Sequence, residues 1–168
     1  YTAIVVIGIT ADGYIYILDI SRFKADKIKL YYDEIMELHR KWEFKKMRAE
    51  VTVAQQIIVN DIKDMFRANG SSISVDEHRP SRHEGTKEER IAAALEIRYE
   101  NNTMWHFKGG WTSVLEEELM LARPPHDDIK DCLASVVEIA RPPKAMRDRV
   151  QPTNVVQFNS RFGGVQFR

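Results

Sequence analysis

Residues 1–21 read YTAIVVIGITADGYIYILDIS, and the pattern of this stretch decides the fold class. Tyr1–Ile9 is dense in β-branched residues, Asp12-Gly13 is a turn pair, and Tyr14–Ser21 resumes the β pattern. Two antiparallel strands are therefore expected. The period then changes: Ile28, Tyr31, Ile35, Leu38 and Trp42 recur at helical spacing, with Asp26 as the expected cap. After the short stretch Met47–Val53 comes a second helix with Ile57, Ile58, Ile62, Met65 and Phe66 on one side, stopped at Asn69-Gly70.

Further on, the spacing predicts a brief strand at Ser71–Val75, a polar loop from Asp76 towards Glu89, and a helix carrying Ile91, Ala94, Leu95 and Ile97. A short strand around Thr103–Phe107, a Gly109-Gly110 turn and a helix from about Thr112 to Leu121 follow. Arg123-Pro124-Pro125 interrupts the chain, and Ile129, Cys132, Leu133, Val136, Val137 and Ala140 define a last apolar stripe, ended by Pro142-Pro143. A hairpin followed by helices alternating with short strands predicts an α/β domain whose mixed sheet carries helices on both faces. That domain spans residues 1–143; residues 144–168 form a basic, weakly structured tail, in which Asn154–Phe158 and Gly164–Arg168 resemble two copies of one short motif.

A chain of 168 residues, 43% of them hydrophobic, can bury one sizeable core. No apolar stretch approaches the roughly 20 residues a membrane span needs, and the apolar start lacks a basic n-region, so neither a span nor a secretion signal is expected. A lone Cys132 inside an apolar stripe gives no disulfide framework and suits a reducing cytoplasm. The net charge of zero argues against binding nucleic acid by bulk electrostatics. The charge is nevertheless uneven: Arg141, Lys144, Arg147, Arg149, Arg161 and Arg168 against Asp148 make the tail +5 and the rest −5. An acidic body suits cations, and a basic tail suits phosphates or an acidic partner.

The acidic candidates begin with His126-Asp127-Asp128 and Asp131. Adjacent carboxylates at a helix start, with another one turn on, suit hard cations such as Mg²⁺ or Mn²⁺, which take oxygen ligands. Asp127 is equally suited to capping the helix. Glu50 stands at the end of a short strand, where ligands gather in open α/β sheets. Carboxylates converging from a strand end and a helix start can hold two cations roughly 3.5–4 Å apart, the arrangement that promotes phosphodiester hydrolysis. A third carboxylate is normally needed. Near the chain start only Asp12 and Asp19 are available, and a turn and a strand end account for them. Lys87 and Arg90 open a helix beside Glu88 and Glu89, where they either balance charge and position phosphate or simply belong to a capped helix start. His78, Arg79, Arg82 and His83 make the polar loop cationic. There is no phosphate-binding Gly-rich loop with Lys-Ser/Thr, no zinc spacing and no nucleophile elbow, which excludes the corresponding chemistries. Trp42, Trp105 and Trp111 are expected to pack, in the core or half-exposed, rather than to stack on bases.

Taken in order, the YTAIVVIGI…DGYIYILDISR hairpin, Glu50 in RAEVTVAQQ, GTKEERI and HDDIKDCLAS resemble the C-terminal nuclease domain of the large terminase subunit of tailed phages, over about residues 1–140. Cys132 stands where that family more often has a small residue such as Ala. The resemblance implies a ribonuclease-H-like fold that cuts concatemeric double-stranded DNA with a two-metal Mg²⁺ or Mn²⁺ site. It also implies an ATPase domain on the same polypeptide, the portal and the small terminase subunit as partners, and action at the procapsid portal in the host cytoplasm. It makes Glu50 the middle carboxylate and gives the last one to Asp128 or Asp127, with Asp131, Lys87, Arg90 and His126 around them. The family's first catalytic Asp lies on a strand just before the hairpin, so this chain is expected to need completion by such a strand. A non-catalytic docking module of a packaging motor, and a resolvase or integrase of the same fold, are the alternatives.

Overall fold

A computed structural model of the chain describes residues 1–52, 55–79, 85–121 and 124–143. The tail from 144 on, and Arg82 and His83 of the polar loop, lie outside them. The elements run β1 (Thr2–Ile9), β2 (Ile15–Phe23), α1 (Ile28–Trp42), β3 (Lys46–Glu50), α2 (Gln55–Ala68), β4 (Ser74–His78), α3 (Lys87–Glu100), β5 (Met104–Trp105), α4 (Thr112–Met120) and α5 (Asp128–Ile139).

The hairpin forms as its composition requires. Thr10 and Tyr14 close the loop through a 2.9 Å backbone bond, and Gly13 supplies the positive φ of 87° that the turn demands. Between the Val6–Asp19 and Ile7–Ile17 pairs the register shifts, leaving Leu18 as an extra residue in β2. This bulge changes the parity of the strand. As a result Ile15, Ile17 and Ile20 all enter the same core, although their spacing is not a strict alternation. β2 also pairs in parallel with β5, so the three strands make a mixed sheet in the order β1-β2-β5. The expected antiparallel and parallel pairings are thus both present, but they are distributed over two sheets: β3 and β4 pair in parallel as a separate ladder.

Strand β1 is apolar throughout because it serves two cores. Val5, with Ala3, Ile7 and Ile9 packed alongside, joins Leu115, Ile129, Leu133 and Val137 in one cluster. Ile4, of opposite parity, packs on a second cluster built from Tyr32, Ile35, Ile62, Phe66 and Ile73 of α1, α2 and the approach to β4. A period of two places helices on both faces of the strand. Among the described residues no helix is long and apolar enough to cross a membrane.

Local expectations needed adjustment in several places. Asp26 does not cap α1; Lys27 occupies that position without a side-chain bond. Strand β4 lies three residues later than the hydrophobic pattern suggests, because Ile73 is used as core just before it. Ile97 is exposed rather than packed.

Helix α5 is the most deeply seated element: Ile129 and Leu133 are fully buried. Truncating Leu133→Ala should cost about 2–5 kcal/mol of stability, since a buried Leu loses its transfer energy and leaves a cavity. Urea denaturation at unchanged slope checks this, and a loss below about 1 kcal/mol would mean that α5 is not packed as described.

Candidate functional site

Among the described residues, strand β1 has β2 on one side and no strand on the other, and β3 has only β4. These two unpaired edges line one cavity of about 720 Å³, which Thr2–Ile7 and Lys46–Glu50 border along its length. Residues from α5, including Cys132, Ser135 and Val136, line it as well, as do Tyr31 and Ile35 of α1 and Ile58 and Ile62 of α2. The lining is mostly apolar; its charged members include Lys45, Lys46 and Arg141 where β3 begins and just past α5, and Glu50, Lys87, Asp128 and Asp131 towards the opposite end.

At that end the start of β1, the end of β3 and the first turn of α5 come together. The Cys132 thiol donates to the Ala3 carbonyl at 3.5 Å, which places the start of β1 at the first half of α5. The Arg48 guanidinium bonds the Ser135 carbonyl at 3.5 Å and the Glu138 carboxylate farther along α5, whereas Glu50 acts electrostatically on Cys132. Strand β3 therefore runs back along α5 and ends beside its first turn. Burial, with the charges of Asp131 and Glu50, pushes the Cys132 thiol up to about 12, so it stays protonated and inert.

Glu50, Asp128, Asp131 and Lys87 all line this cavity. Glu50 is exposed at the last position of β3. Asp128 is held by Arg22 of β2, whose Nη2 donates to Oδ2 at 3.0 Å. The Arg22 side chain is 7% exposed, with the Tyr1 ring 4.3 Å from its guanidinium and the Trp111 ring 5.8 Å away. Lys87 sits between the other two carboxylates, 2.8 Å from Asp127 Oδ2 and 3.3 Å from Asp131 Oδ2. Burial works to lower the Lys87 ammonium, but bonding to Asp127 and the charges of Asp131 and Asp127 outweigh it, and the net shift is upward. Lys87 thus remains charged and balances the acidic helix start.

The position of Lys87 is set by its own helix. Thr86 and Glu89 form a capping box, with the Thr86 amide donating to Glu89 at 2.7 Å and the Glu89 amide to Thr86 Oγ1 at 3.2 Å. Gly85 precedes it at φ +85°, and a Cβ there would lie 2.6 Å from Glu89 Oε2. Arg90 is half-buried on the same helix. Exposed His126 stands edge-on to the Tyr1 ring, with centroids 5.7 Å apart.

Asp127 occupies the cap position of α5, yet its side chain makes no capping bond. Glu118 of α4 does this instead, its Oε2 accepting from the Ile129 amide at 3.0 Å and the Lys130 amide at 2.8 Å. Glu118 is 2% exposed. Burial raises its carboxyl, and the two amides and Arg22 only partly offset this. Sequence reasoning missed Glu118; the signal available was a Glu three residues after Leu115, on the apolar face of α4.

Asp12 and Asp19, the other acidic candidates near the chain start, are engaged elsewhere. Asp12 sits in the hairpin turn, at the opposite end of the hairpin from Arg22. Asp19 accepts from Lys41 Nζ at 2.7 Å, Trp42 Nε1 at 2.8 Å and the Ile20 amide at 3.0 Å, tying β2 to the end of α1. Among the described residues no three His, Cys, Asp or Glu side chains gather as a ready-made metal site. The donors present at the cavity end, Glu50 and Asp128, are hard oxygen ligands and fit part of a Mg²⁺ or Mn²⁺ shell. Compared with family models, curated proteins and solved structures, the chain matches none.

The Asp19 cluster generates a pH prediction. Burial alone would raise its carboxyl, but the Lys41 and Trp42 bonds prevail and hold it below the usual range. A depressed carboxylate contributes stability that is present above its unfolded pKa and lost as pH falls through the folded one. Asp19→Asn should therefore be about 1 kcal/mol less stable than the parent at pH 7, with the gap closing in the acidic range. Thermal melts from pH 7 to pH 3 check this; a gap that stays constant with pH would refute it.

Proposed function

We propose that this chain is a ribonuclease-H-like nuclease domain of a terminase large subunit, which hydrolyses phosphodiester bonds of double-stranded viral DNA with divalent cations. The observation that supports this most is the slot. Among the described residues the edge strands β1 and β3 of two separate sheets both line one cavity, and Glu50 and Asp128 line it as well. An extended segment laid there would join the sheets into one and bring a further carboxylate to those two, as the resemblance requires.

In this assignment Glu50, from β3, and Asp128, from α5, hold the cations, with Asp127 as the weaker alternative because Lys87 already engages it. When bound, the cations supply activation of the attacking water and neutralisation of the leaving oxygen. Arg22 fixes one oxygen of Asp128 and leaves the other for ligation. Lys87 limits the repulsion between Asp127 and Asp131 and keeps a positive charge near the incoming phosphate. Backbone contacts of this kind carry no sequence preference. The ATPase domain, the portal and the small terminase subunit are the partners this function calls for.

A non-catalytic docking module is the second possibility. What favours it is that Asp128, Asp127 and Asp131 are each already ion-paired, the first with Arg22 and the other two with Lys87. Nicking of supercoiled plasmid with Mn²⁺ by the whole protein separates the two. Glu50→Ala and Asp128→Ala should each lower the rate by about 100-fold or more, as expected when a metal ligand is removed. Cutting that is equally fast in both variants would discard the two-metal assignment, and a parent that never cuts would leave the docking module.

A further inference from the structure

We infer that Glu118 is a positioning residue that sets the placement of Asp128 by fixing the first turn of α5 from outside that helix. The inference rests on the nuclease assignment above.

A helix start leaves its first amides without partners, and a local Ser, Thr, Asp or Asn ordinarily supplies one acceptor. In α5 the local candidate does not serve, since Asp127 makes no capping bond and pairs with Lys87. The Ile129 and Lys130 amides instead converge on one oxygen of Glu118, at 3.0 and 2.8 Å. This acceptor comes from α4, eleven residues earlier in sequence, and is almost completely buried. Asp128 lies immediately before those two amides, so a carboxylate locked into the core of the domain determines where its backbone sits.

The arrangement is costly. A buried carboxylate must have its charge matched, and Glu118 Oε1 has no hydrogen-bond partner among the described residues. A neutral local cap would satisfy the same amides at lower cost, but it would move with the loop that carries it. Glu118 transfers the first turn to the frame of α4, whose Leu115 is fully buried. It also releases Asp127 towards Lys87. On its other side, Asp128 is gripped by Arg22, itself enclosed by Tyr1 and Trp111. Asp128 is thus held at backbone and side chain by two nearly buried residues from different elements, which is what a ligand with a fixed geometry needs.

Reach and charge can be separated by substitution. Glu118→Asp keeps the charge but shortens the side chain by one methylene, whereas Glu118→Gln keeps the length and an acceptor oxygen but loses the charge. If Glu118 positions Asp128, hydrogen exchange at the Ile129 and Lys130 amides should accelerate about tenfold in Glu118→Asp, the factor a lost cap commonly represents. The Mn²⁺ concentration for half-maximal nicking should rise by a similar factor, with the rate at saturating Mn²⁺ within about threefold of the parent. Glu118→Gln should behave as the parent in both measurements. Unchanged amide exchange in Glu118→Asp, or a Glu118→Gln variant as impaired as Glu118→Asp, would overturn the inference. If the parent neither nicks nor binds Mn²⁺, the nuclease assignment fails by itself, and the amide exchange still decides whether Glu118 fixes the first turn of α5.

Discussion

Burial of one face of α5 is the interaction on which the rest of the structure depends. Ile129, Leu133 and Val137 are essentially solvent-free and lie in the same cluster as the hairpin strands and α3. The helix also reaches the second ladder, where Arg48 of β3 bonds Ser135 and Glu138. Among the described residues no hydrogen-bonded ladder joins the two sheets, so side-chain contacts across α5 and the α1–α2 layer carry their association. Each buried aliphatic side chain contributes roughly 1.5–3 kcal/mol, enough for a few such residues to hold two short sheets together. The same helix begins at the acidic end of the slot, and its packing therefore also fixes where Asp128 stands.

Polar groups around that helix start are organised by burial rather than by simple attraction. Arg22 and Glu118 are both nearly enclosed, and each retains one side-chain atom without a hydrogen-bond partner among the described residues. Desolvation of this kind opposes folding, and the two amides and the neighbouring guanidinium compensate Glu118 only in part. A chain selected for stability alone would replace such a pair with apolar residues of similar volume. Between them the two residues hold the backbone and the side chain at the start of α5.

How much of this was legible in sequence varies by element. The hairpin and the five helices follow from β-branched runs and three- to four-residue apolar spacing, because these patterns are local. The bulge at Leu18 was not visible, since Asp19 and Ile20 are compatible with either register until β1 is placed opposite. Glu50 and Asp128 were expected to converge and Lys87 was singled out beside its helix start, and all three line one cavity. Glu118 was hidden because a carboxylate on an apolar face is read as a surface residue; only the arrival of α5 makes it an acceptor. Arg22 was missed for the same reason, its partners Asp128 and Trp111 being far along the chain.

The division into two sheets leaves β1 and β3 as edge strands among the described residues. An unpaired strand edge exposes backbone donors and acceptors that folded proteins normally cover or pair, and here two such edge strands line one largely apolar cavity. The chain has built everything that flanks the gap: cores on both faces of β1, a helix over both ladders, and carboxylates at one end. The charges of Asp128, Asp127 and Asp131 are meanwhile offset in part by Arg22 and Lys87, which reduces the repulsion that closely spaced carboxylates would otherwise impose on the fold. An extended segment entering the slot would meet backbone partners on both sides and apolar side chains above and below. A cation arriving at its end would find Glu50 and one oxygen of Asp128 accessible without first breaking the Lys87 bridge. Strand insertion and cation binding would then favour one another, because each orders groups that the other uses.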